Sequence, residues 1–281
     1  MVTSTGEETE QTRRVRRVLR LLERGAGRFP GAVVAATLLF LYLPVTVVAY
    51  LSLSPAGQPT VPLDAFSLRW YAEVLADDRF VRALTTSFTI GVVAAVGGTG
   101  LGLAGAYTIT RSRLSRRVRG LVAVAVALPL FVPTVVVAFG VGLTADTLGL
   151  GFGYGPVLLG HLFWVLPFTT FLLAARYVEL DRSLADAAAD LGADRRTVFQ
   201  TVTLPLLRPA LAASLLFAFA LSFNEFLITF FLAGSGVTTV PLEIFGKVRV
   251  GATAFLNAAS VMVLVVSGAV AGAASALRTP T

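Results

Sequence analysis

Apolar residues are gathered into six long stretches, and the segments between them carry charged residues, proline or glycine. A helix of about 20 apolar residues crosses the hydrocarbon core of a bilayer, and each stretch is of about that length. None of them contains lysine or arginine, and Glu225 is the one carboxylate well inside a stretch. The pattern predicts an all-α integral membrane protein with six transmembrane helices, at about residues 31–53, 83–109, 120–145, 156–175, 210–233 and 252–277.

Basic residues between the stretches predict the orientation of the helices. Of the 23 lysines and arginines, 18 lie in the N-terminal tail, in every second connecting segment and after the last stretch, whereas five lie in the alternate segments. Segments that stay in the cytoplasm carry the excess of basic residues. We therefore expect a multi-pass protein of the cell membrane with both termini in the cytoplasm and residues 1–30 as a basic cytoplasmic tail. A cleaved secretory signal is disfavoured, because the first stretch exceeds the roughly 7–15 apolar residues of such a signal.

Composition excludes several classes of protein. Charged residues make up 14% of the 281 residues, against about 25% in soluble proteins, so an ordinary cytosolic enzyme is excluded. The absence of cysteine excludes a disulfide framework, a thiolate nucleophile and a zinc site built on sulfur. Because topology accounts for the net charge of +7, we expect no nucleic-acid binding, and we predict no metal site.

Proline and small residues predict bends and close contacts within the helices. Pro129 and Pro133 in the third stretch and Pro167 in the fourth remove backbone donors and are expected to bend those helices. Gly98 and Gly102, with Ala106, follow a four-residue spacing that allows another helix to approach closely. Outside the membrane, Ser67 to Leu84 is predicted to form one amphipathic helix, either as an interfacial anchor or as a surface for an external partner.

The segment 176–209 has a pattern of its own. It carries five bases and five acids, so it is neutral and is predicted to be folded. Ser183 and Asp186 are spaced as the start of a helix, and Gly192 is placed to end that helix in a left-handed turn. A second helix is expected to run from Arg195 until Pro205 ends it. Two short helices would then form a compact element on the cytoplasmic face.

This segment resembles the EAA loop in the membrane subunits of ATP-binding-cassette importers, with the pattern E-A-A, three residues, Gly, nine residues, I-x-L-P. The matching residues, at the same spacing, are Asp186, Ala187, Ala188, Gly192, Val202, Leu204 and Pro205. Asp186 stands in place of glutamate and Val202 in place of isoleucine, and both replacements are conservative. The resemblance implies that the segment couples the chain to an ATPase through Asp186, Ala187, Ala188, Gly192, Leu204 and Pro205.

Further residues make the chain similar to the spermidine/putrescine permease group. That group carries S-L-D-D-F, then F-F-x-x-G and T-T-x-P, which the chain matches at 222–226, 230–234 and 238–241. Residues 68–71, 160–161 and 166–168 add to a likeness that covers roughly 66–275. In S-L-D-D-F, Asn224 replaces the first acid and Glu225 the second, so one carboxylate is kept.

The resemblance implies a type I importer permease with a MetI-like fold, in which residues 31–281 are the permease domain. Such a chain forms half of a translocation pathway, and its expected partners are an ATPase dimer, a second permease subunit and an extracytoplasmic binding protein. We expect no enzymatic activity and no cofactor on this chain, since it lacks a phosphate-binding loop; ATP and magnesium would bind the ATPase. Spermidine or putrescine, or another small cation, is the implied substrate, with ferric iron, thiamine or phosphonate as alternatives.

Glu225 and its neighbours are candidates for the substrate pathway. Glu225 lies about 15 residues into the fifth stretch, or about 22 Å along a helix, and an intramembrane carboxylate usually lines a functional cavity. It could face a cationic substrate beside Asn224, or it could be a structural group bonded to Asn224 or Asn257. Further candidates, each of which could instead pack in the protein, are Phe223, Trp164 and His161.

Two other functions are compatible with parts of the sequence. A stand-alone channel or secondary transporter would explain the six stretches and Glu225, but it leaves the 176–209 motif unexplained. An intramembrane serine protease could use Ser235 with His161 as its base, but no spacing places these two residues together. An importer permease accounts for more of the sequence than either alternative.

Overall fold

The computed structural model describes residues 31–251 and 253–276 and contains α-helices with no strand among those residues. The predicted tail 1–30 lies outside this described part. The helices are α1 (Gly31–Leu51), α2 (Arg69–Ala76), α3 (Asp78–Thr110), α4 (Arg116–Ala127), α5 (Thr134–Thr147), α6 (Tyr154–Glu179), α7 (Arg182–Asp190), α8 (Arg195–Val198), α9 (Leu204–Phe223), α10 (Leu227–Leu232), α11 (Val240–Arg249) and α12 (Thr253–Ala276).

Four helices of the described part are long and apolar enough to cross a membrane: α1, α3, α6 and the helix Arg195–Phe223, which includes α8 and α9. The segments Arg116–Leu130 and Thr134–Thr147 form a bent pair that could supply a fifth span, and α12 contains a shorter apolar stretch, Thr253–Ala269. The all-helical membrane architecture is therefore confirmed. The boundaries predicted for each span and for the permease domain stay predictions.

Small residues bring α3 and α6 together in the centre of the fold. A Cβ atom added at Gly98 would come within 2.5 Å of Val165 Cγ2, and one added at Gly102 would collide with Thr169. Ala106 is fully buried. Because side chains at these positions would force the two helices apart, the predicted close approach is confirmed.

The prolines of the third stretch break it, whereas the proline of the fourth does not. α4 passes into a short 3-10 turn, Leu128–Leu130, and α5 begins directly after Pro133. The chain bends by 107° between the two halves of this stretch. Pro133 cannot donate a backbone hydrogen bond, so the helix restarts after it. α6 continues through Pro167 without interruption.

The fifth stretch is not one helix, contrary to the prediction for 210–233. α9 ends at Phe223, three residues follow, and α10 begins at Leu227. Polar side chains satisfy the backbone at this break: the Asn224 amide donates to the Ala220 carbonyl (2.9 Å), and the Glu225 carboxylate accepts from the Ile228 N–H (2.8 Å). At the break, the Glu225 carboxylate takes the place of a backbone carbonyl for the Ile228 N–H. The Asn224 side chain adds a second donor to the Ala220 carbonyl, which also accepts from the Asn224 backbone N–H (3.2 Å).

The segment between the first two spans also differs from the prediction of one helix over Ser67 to Leu84. Asp77 separates α2 from α3, because its carboxylate accepts from the backbone N–H groups of Arg79 (2.9 Å) and Phe80 (3.0 Å) and so starts a new helix. Lys247 of α11 donates to the same carboxylate at 2.5 Å. Burial alone would raise the pKa of the Asp77 carboxyl. These hydrogen bonds lower the pKa by a larger amount, so that it lies below its usual value. The ion pair fastens α11 to the start of α3.

Candidate functional site

The segment 176–209 folds as predicted at Gly192 but starts differently. Asp181, and not Ser183, caps α7, because its carboxylate accepts from the Ser183 N–H at 2.9 Å. Asp194 caps α8 in the same way, through the Thr197 N–H at 2.8 Å. These hydrogen bonds hold the pKa of both aspartates below its usual value. At α7, the carboxylate of Asp181, the residue directly before the helix, therefore takes the place of the predicted capping box of Ser183 and Asp186.

Gly192 ends α7 in a left-handed conformation, with φ of +89°. The N–H of Gly192 donates to the Ala189 carbonyl (2.9 Å), and the N–H of Ala193 donates to the Ala188 carbonyl (3.1 Å). These two bonds form a Schellman motif, which satisfies the last carbonyls of the helix. The predicted left-handed turn is confirmed, and it directs the chain from α7 into α8.

Pro205 does not end the second helix, contrary to the prediction. A single helix runs from Arg195 to Phe223, and Leu204 and Pro205 form the first positions of α9 within it. A π-helical turn, Phe199–Thr203, precedes the proline. Such a turn places hydrogen bonds five residues apart and so accommodates a residue that cannot donate. The element formed by α7 and α8 is therefore continuous with a candidate membrane helix.

Apolar side chains are exposed on α7 and directly after it, among charged residues. Leu191 is 91% exposed and Leu184 is also exposed, while Ala187 presents a small exposed side chain. Asp186 lines a cavity of about 360 Å³ between α7 and the C-terminal ends of α3 and α6. The structure thus brings the predicted coupling residues of α7 onto one exposed element, whose apolar side chains are available to another protein.

Two arginines connect the C-terminal end of α3 with the end of α6 and the start of α7, contacts that the sequence alone does not predict. Arg111, after α3, donates from one guanidinium nitrogen to the carbonyls of Tyr177 and Leu180 (2.6 Å each) at the end of α6. Arg182, at the start of α7, donates to the Thr110 carbonyl of α3 (3.3 Å). Cations at helix C-termini are favoured because the last carbonyls lack partners there.

Replacing Arg111 by lysine is expected to lower the free energy of unfolding by about 1–2 kcal/mol, because the lysine side chain is shorter and its ammonium does not reach both carbonyls. The charge, and with it the membrane orientation, is kept. Thermal unfolding of the purified protein in detergent measures the effect. Arg113→Lys is the matched control, since the Arg113 guanidinium makes no hydrogen bond within the described residues. Equal unfolding temperatures for the two variants would contradict the assignment.

A second cavity lies in the membrane region, beside the break between α9 and α10. Its volume is about 440 Å³, and its walls include Trp164 of α6, Phe217 of α9 and Phe226. Asn224 and Glu225 supply its polar groups. The structure therefore brings three of the five predicted pathway residues, Trp164, Asn224 and Glu225, to one cavity that is aromatic on its walls and acidic at one point.

Glu225 lies at the wall of this cavity and also accepts hydrogen bonds from the start of α10. Its side chain is buried, with 8% of the residue exposed, and Oε2 accepts from the N–H groups of Ile228 (2.8 Å) and Thr229 (3.4 Å). The predicted partners are wrong: the Asn224 amide donates to Ala220, and the buried amide nitrogen of Asn257 has no hydrogen-bond partner in the described part. Across residues 31–251 and 253–276, no basic side chain forms an ion pair with Glu225.

Phe223 and His161 do not reach the cavity. The Phe223 ring is buried and stacks on Phe219, with ring centroids 5.4 Å apart. His161 is buried between α6 and the two helices of the break, where it contacts Ser222 and Thr229. Both residues therefore pack within the protein, which is the second of the two interpretations that the sequence allowed.

Comparison with known proteins places this geometry in a family. Residues 98–278 match the family described as binding-protein-dependent transport system inner membrane component. The chain is 32% identical over 231 residues to the putrescine transport system permease protein PotI of Escherichia coli K12, which covers 80% of this chain and 82% of that protein. It is 27% identical over 237 residues to the spermidine/putrescine transport system permease protein PotC of the same strain, with coverage of 84% and 89%.

Solved structures show the same fold at low identity. A bacterial ABC transporter involved in the import of the acidic polysaccharide alginate aligns with a TM-score of 0.71 and 17% identity, over 93% of this chain and 98% of that chain. The methionine ABC transporter MetNI, in an inward-facing conformation, aligns with a TM-score of 0.60 and 16% identity, over 70% and 93%. By sequence and fold, the chain belongs to the binding-protein-dependent transport system inner membrane components and has their MetI-like permease fold.

Proposed function

We propose that the chain is one of two permease subunits in an ATP-binding-cassette importer that carries putrescine, spermidine or another small cationic amine. The observation that carries the proposal is Glu225, a buried carboxylate with no basic partner in the described residues, at the wall of a membrane cavity. Charged groups inside a membrane are costly and mark substrate pathways. The relatives named for putrescine and spermidine transport support a cationic substrate.

The walls of the cavity suit an alkylammonium ion. Glu225 would attract the ammonium group, and the ring of Trp164 or Phe226 would add a cation–π contact. The Trp164 ring is held by an edge-to-face contact with Phe168, at 5.5 Å between centroids, so that its position is fixed before a ligand arrives. Apolar side chains in the rest of the wall would contact the methylene chain of a polyamine.

The expected partners follow from the surfaces of the chain. A second permease subunit, identical or different, would complete the pathway across the open side of the cavity. An ATPase dimer would dock on α7 and bind ATP and magnesium. An extracytoplasmic binding protein would deliver the substrate to the outer face. Both termini would then lie in the cytoplasm.

Purification of the tagged chain from membranes, followed by reconstitution of the purified complex into liposomes, tests the proposal. The complex is expected to contain an ATPase and to take up labelled putrescine only when ATP and the binding protein are both supplied. Spermidine is expected to compete with putrescine, whereas thiamine, ferric iron and phosphonate are not. Uptake by the chain alone would overturn the assignment as an importer subunit, and competition by thiamine, ferric iron or phosphonate in place of spermidine would overturn the proposed substrate.

A further inference from the structure

His161, the single histidine of the chain, joins α6 to both sides of the break in the fifth span. Its Nδ1 lies 2.7 Å from Ser222 Oγ, near the end of α9, and its Nε2 lies 3.0 Å from Thr229 Oγ1, in α10. The residue is 1% exposed. One side chain therefore spans the three residues at which the helix is interrupted.

We propose that His161 is a positioning residue that holds the break closed and thereby fixes Glu225 at the substrate cavity. The expected effect of His161 on transport rests on the proposed function. The brace itself, which is the pair of hydrogen bonds from His161 to Ser222 and Thr229, does not. His161 is not among the residues that line the cavity, and its hydrogen bonds go to Ser222 and Thr229, so it acts through these two residues.

The break needs such a brace because α10 is too short to be stable by itself. It has six residues, whereas isolated helices of fewer than about 12–15 residues are marginal even in favourable sequences. α10 lies directly on α6 at Gly160, where an added Cβ would come within 2.5 Å of Ile228 Cγ2. Packing thus sets the distance between α6 and α10, and the histidine bonds set which residues face each other.

Thr229 connects the brace to the carboxylate. Its hydroxyl meets His161 Nε2, and its backbone N–H donates to Glu225 Oε2 at 3.4 Å. A shift of Thr229 away from His161 would therefore also displace one donor of the Glu225 carboxylate. The position of the Glu225 carboxylate at the cavity therefore depends on the side chain of His161, which belongs to a different helix, α6.

Histidine suits this place because each ring nitrogen can serve one hydroxyl. A neutral imidazole has one donor and one acceptor nitrogen, and a hydroxyl can take either role. Both bonds are therefore made in either tautomer. A buried polar group that loses its partner destabilises the fold more than one that is removed together with its partner, so replacing only the histidine is a sensitive test.

The absence of cysteine from the sequence permits a direct measurement of the break. Ile228→Cys places the only thiol of the chain at a fully buried site in α10. The rate at which a small thiosulfonate reagent modifies it, in membranes that contain the full-length chain, reports how often the break opens. Leu173→Cys, also fully buried but on α6 beyond the break, reports general loosening of the fold.

His161→Phe, which keeps a ring but removes both bonds, is expected to raise the labelling rate at Ile228→Cys by about tenfold or more. Labelling at Leu173→Cys is expected to stay unchanged. His161→Asn can keep the bond near Nδ1 and His161→Gln the bond near Nε2, so both are expected to give intermediate rates. Ser214→Ala is the matched control, because Ser214 makes a buried hydroxyl bond to Thr99 of α3 at 3.3 Å, outside the break.

Uptake kinetics then test the effect on the cavity. His161→Phe is expected to raise the KM for putrescine about tenfold, with partial recovery in His161→Gln, while Ser214→Ala leaves KM unchanged. Unaltered labelling at Ile228→Cys, or an equal rise at Leu173→Cys, would overturn the brace. If labelling responds but the parent complex does not take up amines, the brace stands and the proposed substrate fails.

Discussion

Replacing Gly192 by valine is expected to reduce ATP-driven uptake by a factor of about 5–30 while the chain still inserts in the membrane. Gly192 adopts a φ of +89°, which costs an L-residue about 1–2 kcal/mol, and a β-branched residue tolerates it worst. That cost corresponds to a factor of about 5–30 in the population of the native turn. No atom lies within 4 Å of an added Cβ, so the effect acts through the backbone alone.

Gly192→Asn is the matched control for that experiment. Asparagine is polar, is of similar size to valine and accepts the left-handed conformation, so uptake is expected to stay close to that of the parent. The amount of ATPase that co-purifies with each variant shows whether docking is lost. Equal uptake by the valine and asparagine variants would show that the turn after α7 does not matter for coupling.

Replacing Glu225 by glutamine is expected to raise the KM for putrescine about tenfold or more, which corresponds to about 1.4 kcal/mol of binding free energy. The substitution removes the negative charge but keeps a side-chain oxygen that can accept from the Ile228 N–H. α10 is therefore expected to keep its start, and the thermal stability to change little. Initial rates of uptake over a range of putrescine concentrations give the result.

Asn224→Asp is the complementary variant, because it restores the first acid of the pattern S-L-D-D-F that the polyamine permease group carries. Asn224 is exposed at the cavity wall, so an added carboxylate stays hydrated, and a lower KM for a diamine is expected. A KM for putrescine that neither Glu225→Gln nor Asn224→Asp alters would show that Glu225 serves only to cap α10.

The sequence predicted those features that depend on local pattern. Apolar runs predicted the membrane helices, and the spacing from Asp186 to Pro205 located the element formed by α7 and α8. Both predictions were possible because residues that are close together in the sequence determine helix length and glycine turns. The small residues Gly98 and Gly102 likewise predicted a close helix contact. Each of these signals lies within one continuous segment of the chain.

Other features depend on contacts between distant residues and were missed. Arg111 was interpreted as a topology signal, although its guanidinium bonds the carbonyls of Tyr177 and Leu180. The break after Phe223 has no proline or glycine to mark it; the available signal was a pair of adjacent polar residues in an apolar run. α11 was not predicted, although Pro241 after Thr239 is a typical helix start.

The continuity of the helix Arg195–Phe223 has a mechanical consequence. Its 29 residues form a rod about 43 Å long at 1.5 Å per residue, with one end in the cytoplasmic element and the other beside Glu225. A rotation of about 10° around the cytoplasmic end of such a rod displaces the far end by about 7 Å. A movement of α8 would therefore be transmitted along this helix to the wall of the cavity. The π turn before Pro205 is the place where the helix can bend.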